Sequence, residues 1–95
     1  MSLTLCVLLW ARDGQQAELA KYEDQVLRLV PDHGGRVLHR ARTTGAADEP
    51  FEVHLLQFPA EAALNAYMTD ERRTSLSDER HRAIARTQVL RVEVV

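Results

Sequence analysis

The nine residues Leu3-Thr-Leu-Cys-Val-Leu-Leu-Trp-Ala11 form a near-continuous apolar run of strand length. Successive side chains of a strand point to opposite faces. Leu3, Leu5, Val7 and Leu9 therefore share one side, and Cys6, Leu8 and Trp10 share the other. Such a strand needs apolar cover on both faces. A chain of 95 residues buries only a thin core of its own. The economical cover for the second face is another copy of the chain across a two-fold axis.

The rest of the chain supplies partners for this strand. Asp13-Gly14 ends it with turn chemistry. From Gln15 to Val30, Leu19, Tyr22, Val26 and Leu29/Val30 recur at helical spacing with charges between them. Pro31-Asp-His-Gly-Gly35 stops that helix, and Gly34 or Gly35 is expected to take a positive φ. Arg36 to Thr43 reads as a second strand, in which Val37, His39 and Ala41 alternate with Arg36, Leu38, Arg40 and Arg42. The breaker-rich loop 44–50 leads to a third strand, Phe51 to Phe58. Val53 and Leu55 lie on one side of it, Leu56 and Phe58 on the other.

Pro59 suits the first turn of the next helix, whose buried face draws on Ala62, Ala63, Leu64, Ala66, Tyr67 and Met68. Thr69-Asp70 interrupts it. Asp78-Glu79 opens a last helical piece carrying Ala83, Ile84 and Ala85, and Gln88 to Val95 forms a final strand. The order β-α-β-β-α-β predicts an α+β, ferredoxin-like domain over residues 1–95, a four-stranded antiparallel sheet with both helices on one face. Two such sheets, face to face, would make a dimeric α/β barrel.

Composition narrows the function. The net charge of −2 gives no electrostatic case for nucleic acid or an acidic membrane. The apolar run is too short to span a bilayer and lacks the marks of a signal peptide, so a cytoplasmic protein, mature from Met1, is expected. A single cysteine, Cys6, allows no internal disulfide and fits a reducing compartment. The four histidines lack metal-site spacing, so no metal is expected. No glycine-rich phosphate loop or nucleophile elbow is present.

Two stretches carry a family likeness: His33-Gly34-Gly35-Arg36 leading into the second strand, and Val53-His-Leu-Leu-Gln-Phe58 followed by Pro59-Ala-Glu-Ala-Ala63 and Leu64-Asn-Ala-Tyr67. A strand ending in Phe-Pro, then an alanine-rich helix with an aromatic position, resembles the bacterial DUF1330 family of the dimeric α/β-barrel superfamily. The antibiotic-biosynthesis monooxygenases are a more distant likeness. The loop residues Ala47-Asp48-Glu49-Pro50 and the stretch Thr74-Ser75-Leu76 depart from the family pattern. The resemblance implies a homodimer, a pocket between sheet and helices and, in many members, chemistry without a cofactor.

Several residues are candidates for that chemistry. His54 sits in an apolar strand and needs a polar partner or a cavity. It reads as an acid/base, or as a histidine satisfied by a backbone or helix group. Tyr67 reads as a proton donor or as core. Arg40 would hold an anionic oxygen bidentately, or guard an edge strand. Gln57, on the side opposite His54, would orient a ligand carbonyl or merely sit at a strand end. His39 alternates with Arg40, so one of the two faces the dimer interior. Trp10 would wall an aromatic pocket or pack at the dimer. His33 reads as a helix C-terminal cation or as the border of a pocket.

The runs Asp70-Glu-Arg-Arg73 and Asp78-Glu-Arg-His-Arg82 read as a solvated surface with mixed ion pairs, or as a rim that attracts anions, its field largely cancelled by the acids. Two functions remain open. One is a cofactor-independent monooxygenase, cyclase or isomerase acting on a small apolar aromatic or polyketide-like metabolite. The other is a non-catalytic ligand-binding or dimerisation module.

Overall fold

The computed structural model describes residues 2–95. Four strands form one sheet: β1 (Leu3–Ala11), β2 (Arg36–Arg42), β3 (Glu52–Phe58) and β4 (Ile84–Val92), in the order β2-β3-β1-β4 with every neighbouring pair antiparallel. Helix α1 (Gln16–Leu27) and a 3-10 turn (Pro31–His33) connect β1 to β2. Three short helices, α2 (Glu61–Met68), α3 (Glu71–Thr74) and α4 (Ser77–Ala83), connect β3 to β4. The expected order is present, with the second crossover broken into three pieces. Among the described residues, no helix is long and apolar enough to cross a membrane.

The helices cover one face of the sheet. Leu5, Leu56 and Phe58 pack there against Leu27, Val30 and Tyr67, and Leu9 packs against Leu19, Tyr22, Val26, Ala83 and Ile84. The molecule measures 38 × 34 × 16 Å, thick enough for one sheet layer and one helix layer. Among the described residues, no second layer covers the other sheet face. Cys6, Leu8, Trp10, Val53 and Leu55 are only half-buried on it, and Leu90 is 42% exposed.

Several local expectations need correction. In β2 the pairing shifts between Val37 and His39, so Val37 opposes Leu56 on the helix side and His39 opposes Leu55 on the open side. A bulge of this kind inserts one residue and ends strict alternation. Arg40 and Arg42 then face the helices, opposite His54 and Glu52.

Ile84 and Ala85 belong to β4 and not to the last helix. Ile84 pairs with Ala11 and is buried, a position suited to a β-branched side chain. Strand β4 ends at Val92, short of the expected Val95. Pro59 lies ahead of the α2 N-cap, Ala60, and so outside the first turn.

The two glycines after the 3-10 turn serve different needs. Gly34 takes φ 74°, the left-handed conformation that closes the turn. Gly35 is buried, and a Cβ there would come within 2.8 Å of both Phe58 and Val30.

Candidate active site

Alternation along β3 points Glu52, His54, Leu56 and Phe58 under the helices, and all four are buried. Two of them are polar, and buried polar groups need partners. Both oxygens of Glu52 are saturated. Oε1 accepts from Arg40 Nε at 2.9 Å and lies 2.7 Å from His54 Nε2. Oε2 accepts from Arg40 Nη2 at 3.0 Å and from Arg42 Nε at 2.8 Å. Burial alone would raise the Glu52 pKa, but the bonds from His54, Arg40 and Arg42 outweigh it and hold the carboxyl down at about 2. Glu52 is thus a carboxylate, and an acceptor that close to Nε2 favours the imidazole tautomer with its proton on that nitrogen.

The other imidazole nitrogen, Nδ1, lies 3.7 Å from the carboxyl of Glu23 on α1. Glu23 is buried, which pushes its pKa up to about 7; the nearby His54 opposes the rise and Glu52 adds to it. Two buried carboxyls thus flank one imidazole with opposite perturbations. One is locked as an anion, and the other titrates near neutrality, the pattern that separates acid and base roles.

His54 and Glu23 open onto a cavity of about 140 Å³ between sheet and helices. Leu5, Val7, Leu27, Leu56 and Leu64 form its apolar wall. Met68 and Val89, 45% and 52% exposed, also line it and mark its outer side. Tyr67, Arg73, Arg80 and Thr87 add polar groups. Burial pushes the Tyr67 phenol up to about 12, against the pull of Arg73, so the hydroxyl keeps its proton. The Arg73 guanidinium lies 5.1 Å from the centre of the Tyr67 ring, and its buried Nε has no hydrogen-bond partner. Arg80 donates to Thr87 Oγ1 at 3.0 Å.

A larger open groove of about 450 Å³ between α1 and α4 is lined mainly by polar surface groups, including Glu18, Lys21, Gln25 and Arg82. It lacks the His54–Glu52 pair, and its apolar wall is confined to Ala17, Tyr22 and Leu76. The smaller cavity therefore has the stronger chemical case.

The structure brings His54 and Tyr67 to one cavity and separates the other expected site residues from it. Arg40 is spent on Glu52, on Asp24 at 2.6 Å and on the Ala20 carbonyl at 3.0 Å, so it positions Glu52 and is not free to hold a ligand oxygen. Gln57 and His39 face the open side of the sheet, away from His54. Trp10 lies on that side too, donating to the Asp48 carbonyl at 2.7 Å beneath the Arg86 guanidinium. His33 bonds Asp70, the α3 N-cap, at 2.7 Å and joins the two crossovers. Arg73 and Arg80, expected on a solvated face, line the cavity instead.

Glu23, Glu52, Arg73 and Arg80 were not singled out by sequence. The available signal was Glu52 at two residues before His54, on the same strand face. For Glu23 it was a place between Tyr22 and Val26 on the apolar side of α1.

No family model matches the chain, and no curated protein does. Solved structures do match. A dimeric ferredoxin-like protein of unknown function from Bacteroides fragilis aligns with TM-score 0.75 at 10% identity, over 98% of this chain and 96% of that one. The fold is ferredoxin-like. A NIPSNAP-like domain protein from Burkholderia xenovorans aligns with TM-score 0.80 at 11% identity, over 99% and 85% of the two chains. A candidate antibiotic biosynthesis monooxygenase from Caulobacter crescentus aligns with TM-score 0.79 at 14% identity, over 99% and 90%. Identities this low speak to architecture, and function has to be argued from the site.

Proposed function

We propose that this protein is a homodimeric, cofactor-independent proton-transfer enzyme, an isomerase, cyclase or oxygenase, for a small apolar aromatic metabolite. The observation that carries this reading is the line Glu52–His54–Glu23 at the wall of a walled, partly apolar cavity. Glu52 fixes the imidazole and leaves Nδ1 to take a proton from bound substrate. Tyr67, kept protonated, donates to the oxygen that gains charge. Proton removal from a phenol or an enolisable ring is the shared first step of isomerisation, cyclisation and oxygenation. A cavity of about 140 Å³ suits one ring, since an engineered cavity of about 150 Å³ holds benzene. One ring, and not a fused polyketide skeleton, is the substrate scale in this reading.

The open sheet face supports the dimer. Cys6, Leu8, Val53 and Leu55 would be covered by the same face of a second copy. The Bacteroides neighbour is described as dimeric, and the shared fold makes that arrangement available. The absence of a strongly basic charge balance and the lone cysteine agree with a cytoplasmic protein that binds no nucleic acid.

The test is hydrogen–deuterium exchange at the α-carbon of a panel of enolisable ketones bearing one ring, followed by NMR. His54→Ala should slow exchange by about 100-fold or more, the scale of a lost general base. Tyr67→Phe should slow it while preserving packing. If the protein accelerates exchange on no member of the panel and His54→Ala only lowers the melting temperature, the non-catalytic module is the better reading.

A further inference from the structure

The positive groups of the cavity exceed what its own acids neutralise. Arg73 and Arg80 both line it, and among the described residues neither has a carboxylate within 4.0 Å. Arg73 also keeps a buried Nε without any hydrogen-bond partner. A buried donor left unpaired is costly, and a cluster of guanidinium groups beside apolar walls suits an anionic oxygen.

The acids nearby do not supply that oxygen. Glu52 is fully spent on Arg40, Arg42 and His54. Glu23 lies beside His54, 3.7 Å from its Nδ1, and reaches neither arginine within 4.0 Å. Asp24, Asp32 and Asp70 pair with Arg40 and Arg72.

We infer that the cavity selects a small aromatic anion, a ring bearing a carboxylate or phenolate, with the anionic oxygen on Arg73 and Arg80 and the ring against Leu5, Leu27 and Leu56. The inference deepens the proton-transfer reading by naming the charge of its substrate. It also assigns the two arginines a selective role distinct from that of His54. The ring fits the volume, and the Tyr67 face beside Arg73 forms one edge of the anion subsite.

The experiment compares benzoate with the neutral isosteres benzamide and benzyl alcohol, using NMR titration of the full chain and following the side-chain Nε–H signals of Arg73 and Arg80. Benzoate should bind about tenfold or more tightly than either neutral compound and shift both arginine signals, as a charge-assisted bond requires. Arg73→Gln and Arg80→Gln should each erase most of that preference. The wild-type ligand comparison stands even if a variant fails to fold. Equal binding of benzoate and benzamide, or benzoate binding that does not respond to either substitution, overturns the inference. Measuring exchange beside the titration on the wild-type chain separates the two claims. Anion preference without any exchange activity defeats only the enzyme reading. Exchange on neutral rings without anion preference defeats only the selectivity.

Discussion

Along β3, Glu52, His54, Leu56 and Phe58 face the helices and are buried, whereas Val53, Leu55 and Gln57 face away and are half-buried. The inner face holds an ion network in which each Glu52 oxygen has two partners. The outer face is built largely of apolar groups, with Trp10 and its neighbours at one end. The difference shows how one strand serves two tasks. Charges can be sunk beneath helices when arginines from the next strand reach them, and β2 supplies Arg40 and Arg42 through its bulge. The outer face shows no such network, and in the proposed dimer apolar contact with a second copy would cover it.

Substitutions on either face should separate these tasks. The largest effect is expected from Leu8→Asp, which puts a charge in the middle of the outer face. A dimer should become a monomer by light scattering, or fail to fold, because the buried charge would have no partner. A monomeric wild-type protein would break the comparison at its root. Next comes Glu52→Ala on the inner face. It strands the Arg40, Arg42 and His54 donors and should lower stability by about 3–5 kcal/mol in urea unfolding, with the oligomeric state retained where the chain folds.

Much of this architecture was legible in the sequence because it rests on periodicity. The run Leu3–Ala11 became β1 without change, and the breaks at Gly34 and at Asp70 fell where turn and capping chemistry put them. The last strand was misplaced because Ala83-Ile84-Ala85 carries no breaker, and only pairing with Ala11 decides where the helix stops.

The site was half legible. His54 stood out as a polar group in an apolar strand, and Tyr67 as an aromatic on a helical face. Arg40 proved to be tied to Glu52, while His39, Gln57 and Trp10 lie on the open face, apart from the cavity. A bulge and a sheet face are fixed by long-range register, which local alternation does not encode. Arg73 and Arg80 looked like solvated charges because nothing in a helical run says that a guanidinium folds back under its own helix.

A smaller effect distinguishes the two buried acids. Glu23 has a raised pKa in the folded chain, so the folded state binds more protons between pH 4.5 and about 7 and loses stability as pH rises through that window. Glu23→Gln should remove the loss. The variant and wild type should match near pH 4 and diverge by about 2–3 kcal/mol in the variant's favour above pH 7. Glu52 runs the other way. Its lowered pKa contributes stability above pH 4.5 that is lost as pH falls toward 2. Unfolding midpoints measured across pH should show both slopes, and a Glu23→Gln difference independent of pH would contradict the assignment.

The most direct measurement of the central claim is the tautomer of His54 by long-range proton–nitrogen NMR, with and without benzoate. With Nε2 at 2.7 Å from the Glu52 carboxylate, the neutral imidazole should carry its proton on Nε2, and Nδ1 should show the shift of an unprotonated nitrogen. Benzoate should move the Nδ1 signal and leave the Nε2–H signal in place. A neutral imidazole protonated on Nδ1, or a His54 spectrum indifferent to every single-ring ligand, would mean that the histidine is a structural tie and that the cavity's chemistry lies elsewhere.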